Sequence, residues 1–156
     1  LKRAIVIGAL LLTPVLAQAQ MAKPTWPTYA CLMRAAHAYH LSPWAIIGIM
    51  KAEGGKPGQI VRDANGTFDM GPMQINSLWL PRLASQGITA QELASNGCLN
   101  VKVGAAILRL NINQAGGNLV KGIGWYHSRI PTLAQQYRLR VSRQLERIAN
   151  TPSSSN

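Results

Sequence analysis

From Pro43 to Glu53 the chain reads Pro-Trp-Ala-Ile-Ile-Gly-Ile-Met-Lys-Ala-Glu, and steps of three and four join Ile46, Ile49, Met50 and Glu53 into one stripe. At 3.6 residues per turn this spacing predicts a helix with three apolar side chains and a carboxylate on its core-facing side. Ser42-Pro43 supplies a cap and a first-turn proline for it. Residues 28–40 predict an earlier helix with Leu32, Ala35, Ala36 and Tyr39 turned inward. A helix over 77–85 ends at Gly87, a further one opens at Thr89 and ends at Asn96-Gly97, and a long one from Asn100 ends at Gly116-Gly117. From Pro131 to Asn150 a last helix sets Tyr137, Val141, Leu145 and Ile148 on one face and Arg140, Arg143 and Arg147 on another. Asn65-Gly66, inside Asp63-Ala-Asn-Gly-Thr-Phe-Asp69, predicts the tight turn of a small hairpin.

The chain has only five acidic residues, so each can be weighed as a candidate for chemistry. Glu92 closes the capping box Thr89-Ala-Gln-Glu92. Glu146 follows Arg143 by three residues, which predicts an intrahelical ion pair. Asp63 and Asp69 belong to the hairpin, whose spacing is not that of a calcium loop. Glu53 alone has no structural role assigned. It lies in the last helical turn, where the dipole is negative, and faces the apolar side. Both effects disfavour the ionised form and raise the pKa, as a general acid near neutral pH requires. The plain alternative is a surface carboxylate that caps a loop or pairs with Lys56.

Lys2-Arg3, an apolar run from Ala4 to Leu16 and Ala17-Gln-Ala19 form the pattern of a cleaved signal peptide over residues 1–19. The run is too short for a comfortable membrane span. The expected organisation is therefore export to the periplasm, one domain over 20–150 and a disordered polar tail over 151–156, with no transmembrane segment in the mature form. The formal charge of +11 raises the possibility of nucleic-acid binding. Scattered basic residues, the absence of a nucleic-acid motif and the export pattern argue against it.

Glu53 with its apolar approach, Asn65-Gly66, Asp69-Met-Gly-Pro-Met-Gln-Ile-Asn76, Asn100-Val-Lys-Val-Gly104 and Trp125-Tyr-His-Ser128 together resemble, in order and spacing, the soluble lytic transglycosylase domain of the lysozyme-like enzymes. The resemblance spans roughly residues 29–138. It is strongest to the small VirB1-like members associated with type IV secretion, conjugation or type III secretion. It implies a mainly α (α+β lysozyme-like) fold with a small β element beside a cleft. It also implies a cofactor-free, metal-free monomer that acts on peptidoglycan glycan strands, with components of a secretion or conjugation apparatus as further partners.

The implied reaction uses one acid twice. It protonates the oxygen of the β-1,4 bond between N-acetylmuramic acid and N-acetylglucosamine, then takes the proton of the muramyl 6-hydroxyl as a 1,6-anhydro ring closes. Glu53 matches that acid. A hydrolytic muramidase is the alternative, with Asp63 or Asp69 as the second carboxylate; a wall-binding assembly factor without activity is another. By the same resemblance Gly71, Met73, Gln74, Asn76, Tyr126 and His127 are candidate substrate-binding residues. Gly71 would let the backbone approach a sugar, Met73 would offer an apolar surface and Gln74 a two-sided amide. Asn76 has the helix-cap role as its alternative. Tyr126 would orient the acid or the substrate. The chain departs from the family in Gly54 for Ser, Pro72 for Leu and His127 for Asn.

Cys31 and Cys98 are the only cysteines. An oxidising compartment favours a bond between them, as small members of the family carry in these places; two buried thiols are the alternative. His37 and His40 share a predicted helix face, but no third zinc ligand accompanies them.

Overall fold

The computed structural model describes residues 23–151. The signal segment 1–19 lies outside these residues, as does the tail apart from Thr151. The order of elements is α1 (Tyr29–Ala38), α2 (Pro43–Glu53), β1 (Ile60–Arg62), β2 (Phe68–Met70), β3 (Ile75–Asn76), α3 (Leu80–Ala84), α4 (Ala90–Ser95), α5 (Gly97–Gln114), α6 (Leu119–His127) and α7 (Pro131–Ala149). The fold is mainly helical with one small antiparallel sheet, ordered β1-β2-β3, as in lysozyme-like α+β architecture.

Helix α5 is the pillar. Val101, Ala105, Leu108 and Ile112 are buried along it, joined by Val103 and Ile107 to the side, so it packs on α1, α4 and α6 at once. Helix α2 lies against α7, whose Val141 and Leu145 side chains pack onto Gly48, where an added Cβ would stand 2.9 Å from Val141 Cγ1. Ile46 and Ile49 are fully buried, as the stripe predicts, and bring Glu53 to the edge of the core at the helix end. A disulfide joins Cys31 of α1 to Cys98 in the first turn of α5, across a sequence separation of 67. Among the described residues no helix is long and apolar enough to cross a membrane.

Several local expectations are corrected. Helix α6 was not anticipated, because Gly122 and Gly124 weaken its pattern. Both glycines are packing devices: a Cβ on Gly122 would meet Ile112 Cγ1 at 2.5 Å, and one on Gly124 would meet Arg138 Nη1 at 2.8 Å. Helix α5 starts at Gly97, three residues before Asn100, because Asn96 ends α4 and also accepts the Leu99 N–H as the cap of α5. The helix expected over 77–85 is a single 3-10 turn, Ser77–Trp79, followed by the short α3. Ser42 occupies the cap position of α2 without a side-chain bond, leaving that start to Pro43. His40 does not share a helix face with His37: α1 ends at Ala38, and His40 turns the chain at φ 50°. Glu146 accepts its hydrogen bond from Ser142 Oγ at 3.0 Å, one turn back, in place of an Arg143 pairing.

Candidate active site

The hairpin forms the floor of one wall of the cleft. Asp63 and Thr67 close its turn, with Gly66 at φ 86°. Its second strand continues through Gly71–Gln74 into β3, so a third strand is formed by the last two residues of the Gly71–Asn76 motif. Asn76 serves this corner and not the solvent. Its Oδ1 accepts from Leu78 N at 3.0 Å, and its Nδ2 donates to Asp69 Oδ1 at 2.8 Å, with Thr67 Oγ1 and Asp63 Oδ2 also in range.

The Gly71–Gln74 turn is held from behind by Asn100, which is fully buried. The Asn100 amide donates to Met70 O and Leu93 O, both at 2.9 Å, and accepts from Met73 N at 2.8 Å. Both its donors and its carbonyl oxygen are engaged by backbone that would otherwise be buried unpaired. This changes the part played by two candidates. Gly71, at φ 67°, makes room for Asn100, whose Nδ2 would lie 2.5 Å from an added Cβ, and so serves the interior instead of the approach of a sugar. Met73 is fully buried, with its Sδ against Gly104, where a Cβ would stand only 2.4 Å away; it presents no surface to a ligand.

Gln74 does reach the cleft. It takes the left-handed conformation, φ 47°, and its Nε2 donates to Gly71 O at 2.8 Å. A non-glycine residue in this region is strained by about 1 kcal/mol or more, and such strain concentrates at functional sites. Gly55, just past α2, packs against the same carbonyl: a Cβ there would approach Gly71 O to 2.1 Å. The αL glycine that ends α2 is Gly54, φ 66°, around which nothing lies within 4 Å.

Glu53 faces Asp63, Asn65, Asp69, Gln74, Ile75, Asn76, Leu78, Trp79, Ile107, Tyr126 and His127 around a cleft of about 450 Å³, a size suited to a small-molecule ligand. Its Oε1 accepts from Tyr137 Oη at 2.5 Å, across 84 residues of sequence. Burial drives its pKa up to about 7; the Tyr137 hydrogen bond and the Arg140 charge pull it down, and Asp69 adds to the rise. Such a carboxyl is half protonated near neutral pH, so it can both give and take a proton there. Lys56 is not its partner: Lys56 lies in a turn whose N–H bonds Gln59 Oε1.

The phenol beside Glu53 is thus Tyr137, on the face of α7 read from sequence as plain core. Tyr126, expected to orient the acid, donates to Met73 O at 3.1 Å. Burial, Glu53 and Asp69 raise its pKa well above the usual range, so it stays neutral. The rings form a stack, with Tyr137 to Tyr126 at 6.5 Å and Tyr137 to His127 at 5.1 Å. Arg140 lies 5.0 Å from the Tyr137 ring centre, so this residue of the Arg140, Arg143 and Arg147 face reaches the site. His127 has its pKa lowered by burial and by Arg140, with Asp69 opposing. Asp69 is itself pushed up by burial, an effect Asn76 opposes.

Sequence reasoning therefore missed Tyr137, Arg140 and the anchoring work of Asn100. A signal for the first existed: a phenol on an apolar helix face needs a partner, and Glu53 was the acid left without one. The cleft brings together Glu53, Gln74, Asn76, Tyr126 and His127 among the candidates, and neither Gly71 nor the Met73 side chain lines it.

A model of the transglycosylase SLT domain family matches residues 30–144. The chain is 28% identical over 116 residues to invasion protein IagB of Salmonella typhimurium strain SL1344, covering 74% of this chain and 72% of that protein. It is 35% identical over 79 residues to invasion protein IagB of Salmonella typhi, about half of each chain (50% and 49%). A peptidoglycan-binding-like protein of Escherichia coli O157:H7 is 28% identical over 131 residues, covering 79% of this chain and 78% of that one.

Proposed function

The chain belongs to the transglycosylase SLT domain family, and from that premise we propose that it is a lytic transglycosylase of peptidoglycan in which Glu53 is the one acid and base. The observation that carries the reading is the Glu53 carboxyl at the cleft, with its pKa raised to about 7 and a phenol bonded to it. Protonated Glu53 gives its proton to the bridging oxygen of the β-1,4 bond, and the N-acetylglucosamine fragment departs with it. The carboxylate left behind accepts the proton of the muramyl 6-hydroxyl as that oxygen bonds to the anomeric carbon, closing the 1,6-anhydro ring. No water is consumed, and Glu53 ends protonated again. The Tyr137 hydroxyl donates to the carboxylate between the two transfers, when its charge is greatest.

Gln74 contributes an amide oxygen for a sugar hydroxyl or acetamido N–H, and His127 a ring edge in the same cleft. A hydrolytic muramidase is the second reading, favoured by Asp69, which lines the same cleft close enough to influence Glu53. The N-terminal pattern over residues 1–19 supports export to the periplasm. The likeness to proteins named for invasion supports local opening of the wall for a secretion or conjugation apparatus.

Mass spectrometry of muropeptides released from purified sacculi tests the chemistry. Anhydro products, one water lighter than hydrolytic ones and absent with Glu53→Gln, are expected. Reducing-end products would assign the muramidase reaction to Glu53 with Asp69. Retention on sacculi with no release would leave a binding factor.

A further inference from the structure

A second pocket adjoins the catalytic cleft, and the two share Trp79 and Ile107 as a common wall. Their linings are opposite in character. The cleft holds Glu53, Asp63 and Asp69, three of the five acids of the whole chain, among amides and a phenol. The neighbour is floored by Leu83, Ile88, Val103 and Leu110 between α3 and α5, with Arg82 and Lys102 at its edge and no acid in its lining. Both cations are exposed, and neither has a side-chain hydrogen bond among the described residues. A sugar ring is recognised by several convergent polar groups, which the cleft supplies; beside its two cations this pocket offers only Tyr39, Gln86 and the shared Trp79. Short aliphatic side chains that carry carboxylates fit it instead.

The proposed substrate has such a part. Each muramyl residue bears a peptide stem rich in alanine methyls and free carboxylates, which an acidic cleft repels and a basic, apolar pocket beside it attracts. We infer that the pocket between α3 and α5 is a subsite for the stem peptide, with Arg82 and Lys102 binding its carboxylates and Trp79 dividing peptide from glycan. The inference rests on the peptidoglycan reading of the adjoining cleft and deepens it: the preferred substrate is a strand with its peptides in place.

The test compares kcat/KM on glycan strands with intact stems against the same strands stripped of stems by an amidase. The wild type favours intact strands. Arg82→Ala with Lys102→Ala lowers the ratio of the two rates about tenfold, as expected for losing two exposed charge pairs, and added salt erodes the wild-type ratio in parallel. Both substitutions are at exposed positions, and matching circular dichroism and melting confirm that the fold is intact. A wild type that cleaves both strands equally, or a double variant that slows both equally, overturns the stem subsite while leaving the glycan reading in force. Failure of the wild type to cleave either strand overturns both.

Discussion

Replacing Glu53 by Gln abolishes proton transfer, and the structure predicts that it also stabilises the fold above neutral pH. In the unfolded chain the carboxyl titrates near 4.5, and in the folded protein near 7 because burial opposes its charge. Between these values the folded state binds more protons than the unfolded state. Stability therefore falls as pH rises through this window and is level on either side of it. At about 1.4 kcal/mol per pH unit the loss amounts to roughly 3 kcal/mol, an upper figure because Glu53 is not fully enclosed. The neutral Gln escapes this loss, and its amide oxygen still accepts the Tyr137 hydroxyl. At pH 8 the variant should melt up to about 10 °C above the wild type, and the gap should close below pH 4.5. The assay is a series of thermal melts of both proteins from pH 4 to 8 at fixed ionic strength. The difference between the two curves isolates Glu53 from the other carboxylates. Parallel curves across the range would refute the reasoning, since they would mean that the folded carboxyl titrates as it does in the unfolded chain.

Four further outcomes follow from the same contacts. Tyr137→Phe removes the hydrogen bond that favours the Glu53 carboxylate, so the limb of the pH–rate profile governed by Glu53 should move to higher pH, with kcat lower by about tenfold or more; an unmoved limb would deny Tyr137 its positioning role. Arg140→Met should shift the same limb upward, by less at high salt, because its effect on Glu53 is through charge alone. Gly55→Ala, whose Cβ would press on the Gly71 carbonyl, should cost about 1–3 kcal/mol in urea denaturation, whereas Gly54→Ser meets only left-handed strain of about 1–2 kcal/mol. Reduction of the Cys31–Cys98 bond should lower stability by about 4 kcal/mol, measured as the denaturation midpoint with and without reductant.

The parts of this fold legible in the sequence were those encoded locally. The α2 stripe, the Thr89–Glu92 capping box and the Asn65-Gly66 turn each state their geometry within a dozen residues, and all three are present as read. Helix α6 was hidden because its two glycines are chosen for neighbours on α5 and α7, and such tertiary demands leave no periodic trace. The site divides the same way. Glu53 could be found by eliminating four other acids, but its bond to Tyr137 spans 84 residues, and the sequence does not say which phenol it meets. Tyr126 stood beside a recognisable motif and drew the role that Tyr137 holds. Gly71 and Met73 were placed correctly in the loop and wrongly at its surface, because Asn100, 27 residues beyond Met73, pulls that loop into the core.

The Asn100 anchor means that the two banks of the cleft differ in their freedom to change. On one bank Met73, Asn100, Gly104 and Tyr126 form a locked interior, where almost any new side chain would open a void or strand a backbone group. On the other, Leu78 stands at the rim, 76% exposed, with few obligations to the fold. Diversification of substrate preference among proteins built on this plan should accordingly accumulate at the rim, while the bank locked by Asn100 stays as it is.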